Sequence, residues 1–309
     1  MSAQPTPLAS RKRLWRIAAA IAVLIGLVVY LVVQYVTGGP GAPHCLVRAE
    51  GDDKAYELTP EQAENAATIS AVASSRGLPE RAVTIALATA MQESGLRNID
   101  FGDRDSVGLF QQRPSQDWGT VKQIMDPVYA AGEFYTHLAK VPGYSRLPLT
   151  AAAQKVQRSG YPQAYAKHEA NAARLTGALT GRDHAALVCS QSRPVDGKTG
   201  GVAKVREKLV REFGPEVLPR TDGAGGRSAA RERSMTVPVQ RDGARADEDR
   251  VRRGWELATW AMAHSAELRI EQISYAGRMW SAADAGKGWQ KEPHASGAGA
   301  DGVRIVTAQ

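Results

Sequence analysis

The sequence predicts an α-helical domain followed by a small C-terminal α/β domain, the two preceded by one transmembrane helix. Three observations lead there. A long apolar run lies near the N-terminus, and helix start and stop signals succeed one another between residues 60 and 180. After about residue 200 the pattern changes to short β-branched segments around one amphipathic helix. A chain of 309 residues with 43% hydrophobic side chains has room for about two cores, while Gly 30 and Pro 16 point to generous loops.

In chain order, residues 1–16 form a basic tail containing Arg11, Lys12, Arg13 and Arg16. The stretch 17–36 is apolar except for Gln34, and roughly 20 residues are what a hydrocarbon core requires. It is too long for the apolar region of a cleavable signal, and Thr37-Gly38-Gly39 is a poor cleavage site. The positive flank sets the N-terminus in the cytoplasm and the C-terminal domains outside, on a single-pass anchor in the cell membrane. Residues 37–59 read as a tether. Cys45 and Cys189 then lie on the oxidising side and are expected to pair, closing a long loop that contains Glu93.

Thr59-Pro60-Glu61-Gln62 reads as a capping box with proline at the first helical position, so a helix runs from there to about Arg76. A second helix runs from about Pro79 to Ser94 and is apolar nearly all round, which places it inside its domain. Gly95 suits the left-handed residue after its last turn. Asn98 to Gln116 is loop, Asp126-Pro127 opens another helix, and Thr150 to Ser159 and Pro162 to Leu179 continue helical, with no convincing strand between residues 45 and 190. The helical domain is therefore set at 60–189, a polar linker at 190–203 and the α/β domain at 204–309. In that last part Val205 to Phe213 and Gly254 to Leu268 suit helices, while Thr236 to Val239, Ile273 to Tyr275 and Val303 to Val306 suit strands. A Gly-, Ala-, Arg- and Asp-rich stretch near 221–253 has the composition of a mobile segment.

A formal charge of +7 and an isoelectric point near 9.5 raise nucleic acid as a partner. No groove-reading motif, zinc finger or stacking platform accompanies them, so nucleic acid is excluded and an anionic wall polymer preferred.

The chemistry is concentrated in Glu93-Ser94-Gly95-Leu96 and Gly108-Leu109-Phe110-Gln111-Gln112. A carboxyl leaving the end of a buried helix is desolvated, its pKa rises, and it can serve as general acid near neutral pH. Asp100, Asp103 and Asp105 are candidates for a second carboxylate, which an inverting hydrolase would need roughly 6.5–9.5 Å away; the plainer reading of all three is a solvated turn. Ser94 orients Glu93 or caps the helix. Gln111 and Gln112 place two side-chain amides beside Glu93 as candidate binding groups. Gly108 and Phe110 shape the cleft wall, and Tyr161 and Trp118 are candidate stacking surfaces.

On these motifs, in this order and spacing, residues 60 to 180 resemble the lytic transglycosylase and goose-type lysozyme superfamily, most closely actinobacterial wall-lytic domains along Gln92 to Thr120. The resemblance implies a lysozyme-like fold for the helical domain and the glycan strands of peptidoglycan as substrate. It also implies cleavage between N-acetylmuramic acid and N-acetylglucosamine by Glu93 alone, with no cofactor. The sequence departs from the family in one place. An asparagine-containing third motif is missing from Ala152 to Pro162, where Gln154, Gln157 or Ser159 stands in for it.

Residues 200 to 309 resemble, more faintly, a degenerate C-terminal domain related to D-Ala-D-Ala carboxypeptidases, through Gly254 to His264, Tyr275 to Trp280 and Gly288-Trp289. The paired histidines and aspartate of a zinc site are absent, and His264 and His294 stand alone, so no metal is expected. That domain is read as a wall-binding or scaffolding module open to envelope protein partners. The whole then reads as a membrane-anchored enzyme that cuts glycan strands, the alternative being a catalytically silent peptidoglycan-binding or envelope-assembly protein.

Overall fold

The helices around Glu93 begin and end where their side chains dictate. Thr59 Oγ1 accepts from the Gln62 backbone N–H at 3.3 Å, and Gln62 Oε1 accepts from the Thr59 N–H at 2.8 Å. This reciprocal cap with Pro60 behind it starts α2 (Pro60–Ser75). The next helix, α3 (Glu80–Glu93), follows after Gly77-Leu78-Pro79 and is buried along nearly its whole length from Ala82 to Met91. A second reciprocal cap, Thr120 with Gln123, opens the short α4 (Val121–Ile124), and Asp126 caps α5 (Pro127–Ala139) through the Val128 N–H. Then come α6 (Leu149–Gln157), a 3-10 turn over Pro162–His168, and α7 (Glu169–Leu179).

The computed structural model describes residues 8–36, 42–48, 54–158, 162–190, 200–219, 233–239, 246–292 and 301–308. It falls into two units, Met1–Ala42 and Pro43–Gln309. The first contains α1 (Leu8–Val36).

Within the second unit, two antiparallel sheets accompany the helices. β1 (His44–Val47) pairs on one side with β2 (Tyr56–Leu58) and on the other with β3 (Leu187–Ser190). Cys45 and Cys189 stand opposite each other in that pairing and are joined by a disulfide across a separation of 144 residues. The second sheet has the order β4-β8-β5-β6-β7, with β4 (Ser234–Pro238), β5 (Ile270–Tyr275), β6 (Arg278–Ser281), β7 (Gln290–Lys291) and β8 (Gly302–Thr307). Ala276-Gly277, both at positive φ, makes the tight turn of the β5–β6 hairpin.

The later elements pack directly on the earlier ones. α8 (Val202–Phe213) and α9 (Ala246–Ala263) both contact α2, and α9 contacts α7. Arg252 on α9 donates to the Thr180 carbonyl at 3.0 Å and to Glu80 Oε1 at 2.6 Å. Trp289 Nε1 donates to the Leu187 carbonyl at 3.0 Å. Gly181 sits where a Cβ would meet the Arg252 carbonyl oxygen at 1.9 Å, so only glycine permits that approach.

Two expectations are corrected. The predicted fold class, an α-helical lysozyme-like domain plus a small α/β domain behind a transmembrane helix, gives way to a mixed helix-and-sheet structure with two sheets. The missed sheet consists of strands of three and four residues, too short to display alternation, and two of them are paired from opposite ends of the helical segment. The second correction concerns the anchor. Among the described residues, no helix is long and apolar enough to cross a membrane. The helix itself forms, over Leu8–Val36. The single-pass membrane partner, the cytoplasmic N-terminus and the extracytoplasmic placement that rested on that helix fall with it.

Candidate active site

Glu93 is the last residue of α3, half-buried where the apolar helix ends. The chain leaves it through Gly95 and Leu96, both left-handed at φ 64° and 60°. Two amides of α2 hold this turn. Gln62 Nε2 donates to the Gly95 carbonyl and Asn65 Nδ2 to the Leu96 carbonyl, each at 2.8 Å. Ser94 is buried; its hydroxyl donates to the Ala90 carbonyl at 3.1 Å and to the Leu109 carbonyl at 2.8 Å. It therefore ties the helix end to the loop carrying the second motif.

That loop closes on itself. Val107 and Gln112 exchange backbone hydrogen bonds at 3.0 Å each way, and the Gly108 N–H donates to the Ile99 carbonyl at 2.7 Å. Gly108 has φ +78°, and a Cβ there would lie 2.8 Å from the Ile124 carbonyl oxygen. Phe110 is fully buried and stacks on Phe134 of α5 at 4.6 Å. Gln112 is buried as well, its Nε2 donating to the Ala130 carbonyl at 3.0 Å, so its amide fastens the loop to α5. Gln111 is half-buried, with Nε2 directed at the Gly108 and Phe101 carbonyls at 3.3 and 3.4 Å.

The Glu93 carboxyl has a partner from a further element. Tyr165, fully buried in the 3-10 turn, donates its hydroxyl to Glu93 Oε1 at 2.7 Å. Gln157, at the end of α6, donates Nε2 to the Phe110 carbonyl at 2.7 Å. Burial pushes the Glu93 pKa above the ordinary carboxylate range, and the donor Tyr165 pulls against that rise without cancelling it. Beside it, Gln92 Oε1 and His168 Nε2 are 3.2 Å apart.

The aspartates stand apart from this cluster in character. Asp105 accepts from Arg113 Nε at 2.8 Å, from the Ser115 N–H at 2.8 Å and from the Ser115 hydroxyl at 3.1 Å. The Arg113 guanidinium first, then Ser115, hold its pKa well below the usual range, so its oxygens are committed to the loop. Asp103 is almost wholly exposed, with Arg104 at 4.0 Å, and Asp100 is exposed. Trp118 is buried against the His137 ring at 4.1 Å, a packed aromatic and not an open platform. Tyr161, Ser159 and His294 lie outside the described residues, as does most of the linker.

Tyr165 was the residue that sequence reading missed. It falls in a stretch read as continuous helix, where an aromatic at helical spacing is ordinary core, and its contact with Glu93 spans 72 residues. Among the described residues no group of three or more His, Cys, Asp and Glu side chains is placed to hold a metal ion. His264 is instead buried between Glu212 and Glu267.

Comparison with known proteins bears on the C-terminal part. Residues 196–301 match the family described as VldE, C-terminal domain, and cover α8, β4, α9 and the strands β5 to β7. No curated protein matches the chain.

Proposed function

We propose that this protein cleaves the glycan strand of peptidoglycan between N-acetylmuramic acid and N-acetylglucosamine, with Glu93 as its general acid and base. One observation carries the reading. A half-buried carboxyl with a raised pKa stands at the end of a buried helix, pinned by Tyr165 at 2.7 Å beside the Gly108–Gln112 loop. The likeness of Glu93-Ser94-Gly95-Leu96 and Gly108-Leu109-Phe110-Gln111 to the lytic transglycosylase motifs supplies the substrate class.

In this scheme the protonated Glu93 delivers its proton to the glycosidic oxygen as that bond breaks. The carboxylate left behind accepts a hydrogen bond from Tyr165, then takes a proton back from the incoming hydroxyl. With Asp105 saturated by Arg113 and Ser115, the scheme asks for no second carboxylate from the protein.

Digestion of purified sacculi by wild type and Glu93→Gln tests it. Wild type releases muropeptides, and the glutamine variant, which cannot transfer the proton, is slower by about 10²–10⁴-fold. Equal release from both, or none from either, sinks the catalytic reading.

A further inference from the structure

Residues 134–168 supply two side chains of the site, Gln157 on the Phe110 carbonyl and Tyr165 on the Glu93 carboxyl. The same stretch carries charge of one sign. It contains Lys140, Arg146, Lys155, Arg158 and Lys167, and no aspartate or glutamate. All five are exposed. None forms an ion pair with a described residue, whereas Arg81, Arg113 and Arg182 of the same unit each hold a carboxylate.

Three of the five are placed by the residues that build the site. Arg158 follows Gln157 directly, at φ 53°, where the chain leaves α6. Lys155 lies on the last turn of that helix, and Lys167 comes two residues after Tyr165, in the 3-10 turn that packs on α6. The loop on residues 98–117 has the opposite balance, with Asp100, Asp103, Asp105 and Asp117 against Arg104 and Arg113. Glu93 joins the two regions, since Tyr165 bonds its carboxyl and the next residue, Ser94, bonds the Leu109 carbonyl. Unpaired like charges do not stabilise a fold, but they raise the local concentration of anions.

We propose that Lys155, Arg158 and Lys167 form an anion-recognising surface beside Glu93, which takes the carboxylates of the peptide that N-acetylmuramic acid carries on its lactyl group. The choice of ligand rests on the function proposed above; the surface itself does not. In such a strand each peptide is attached next to a bond to be cut, so its carboxylates arrive wherever that bond does. Phosphodiester polymers, the other anions of a wall, have no such fixed relation to it. Arg158 offers a carboxylate a planar fork, and the two lysines act as point charges.

The test uses the full chain carrying Glu93→Gln, so that strands stay intact, and fluorescent glycan fragments of two kinds, one bearing its peptides and one stripped of them by an amidase. At low salt, fluorescence anisotropy should show the peptide-bearing fragment binding about tenfold more tightly than the bare one. Adding Lys155→Gln, Arg158→Gln and Lys167→Gln together reduces that preference to within about twofold, and raising salt from about 0.05 to about 0.5 M does the same with the three residues intact. Lys204→Gln, Arg278→Gln and Lys291→Gln, which remove equal charge from other exposed positions, leave it in place. Equal binding of the two fragments, or a preference untouched by the first three substitutions, overturns the inference. Displacement of the peptide-bearing fragment by a soluble phosphodiester polymer but not by the free peptide also overturns it. Should wild type digest nothing while the preference and its loss are both seen, the catalytic reading fails and this inference stands.

Discussion

At the scale of single residues, Glu93 is governed by opposed effects of similar kind. Burial at the end of α3 favours its protonated form, and the neutral donor Tyr165 favours the anion. A carboxyl balanced in this way can give up a proton and recover it in one cycle. The Gly108 backbone lets the neighbouring loop approach α4. Gly108→Ala puts a methyl 2.8 Å from the Ile124 carbonyl oxygen on a backbone at φ +78°. The substitution should cost about 1–3 kcal/mol, read as a lower urea midpoint with an unchanged m-value. Because Ser94 and Gln157 both bond to carbonyls of this loop, the same variant should also shift the Glu93 titration. An unaltered midpoint would show that the loop does not set the carboxyl's surroundings.

At the scale of elements, α2 packs on α3, and the β1–β2–β3 sheet packs on α2. Gln62 and Asn65 on one turn of α2 hold the backbone just past Glu93, so the reciprocal cap at Thr59 starts a helix whose first turns support the site. Thr59→Ala should destabilise by about 0.5–2 kcal/mol. The disulfide joins the two strands that open and close the helical segment. Replacing both cysteines by serine should cost about 2–5 kcal/mol, measured by urea denaturation, since it frees a long loop in the unfolded chain. Loss of less than about 1 kcal/mol would mean that sheet pairing and helix packing already hold the ends together.

At the scale of the whole compact unit, a buried ionic cluster fastens α8 and α9 to α2. Glu212 Oε1 accepts from Thr68 at 3.1 Å, Glu212 Oε2 accepts from Trp260 Nε1 at 2.7 Å, and His264 Nε2 stands 3.4 Å from the same oxygen. Lys208 and Glu267 complete the cluster, with Lys208 Nζ 2.9 Å from Glu267 Oε2, and Glu64 of α2 feels its field. Burial alone would lower His264, but Glu212 and Glu267 outweigh it and raise its pKa. Burial pushes Glu64 up to about 7. The hydrogen bond with His264 pulls Glu267 down to about 2. Burial would raise Glu212, but His264 and Lys208 prevail and lower it.

The signs fix a pH window. Glu64 and His264, with raised folded values, contribute stability that is present below their ordinary values and lost as pH rises through the folded ones. Glu212 and Glu267, with depressed values, contribute stability that is lost as pH falls below the ordinary 4.5. The thermal midpoint should therefore peak near about pH 5 and decline toward pH 8. His264→Leu leaves the Glu212 charge buried without its imidazole partner, and should cost about 3–5 kcal/mol at pH 5. A thermal midpoint that climbs steadily from pH 5 to 8 would contradict this account.

What could be read from the sequence was whatever depends on neighbours along the chain. The Thr59 cap, the apolar α3 with Gly95 behind it, the amphipathic helices and the sheet segments around Ile273 and Val303 all rest on contacts within a few residues, or on one-sided burial that leaves a period in the sequence. The pairing of Cys45 with Cys189 was legible for another reason, there being no other cysteines to choose from. Glu93 and its loop were legible because glycine and a terminal carboxyl are uncommon in such company. Only the tertiary structure decided the rest. It brought β1 and β3 together across 144 residues, set Tyr165 on Glu93 and Gln157 on the Phe110 carbonyl, and turned Ser94 and Gln112 into fasteners of the loop. It also committed Asp105 to Arg113 and enclosed His264 with Glu212. Strands of three or four residues and single long-range hydrogen bonds have no period to leave behind. Their energy comes from residues far apart in sequence, and that information exists only once the chain has folded.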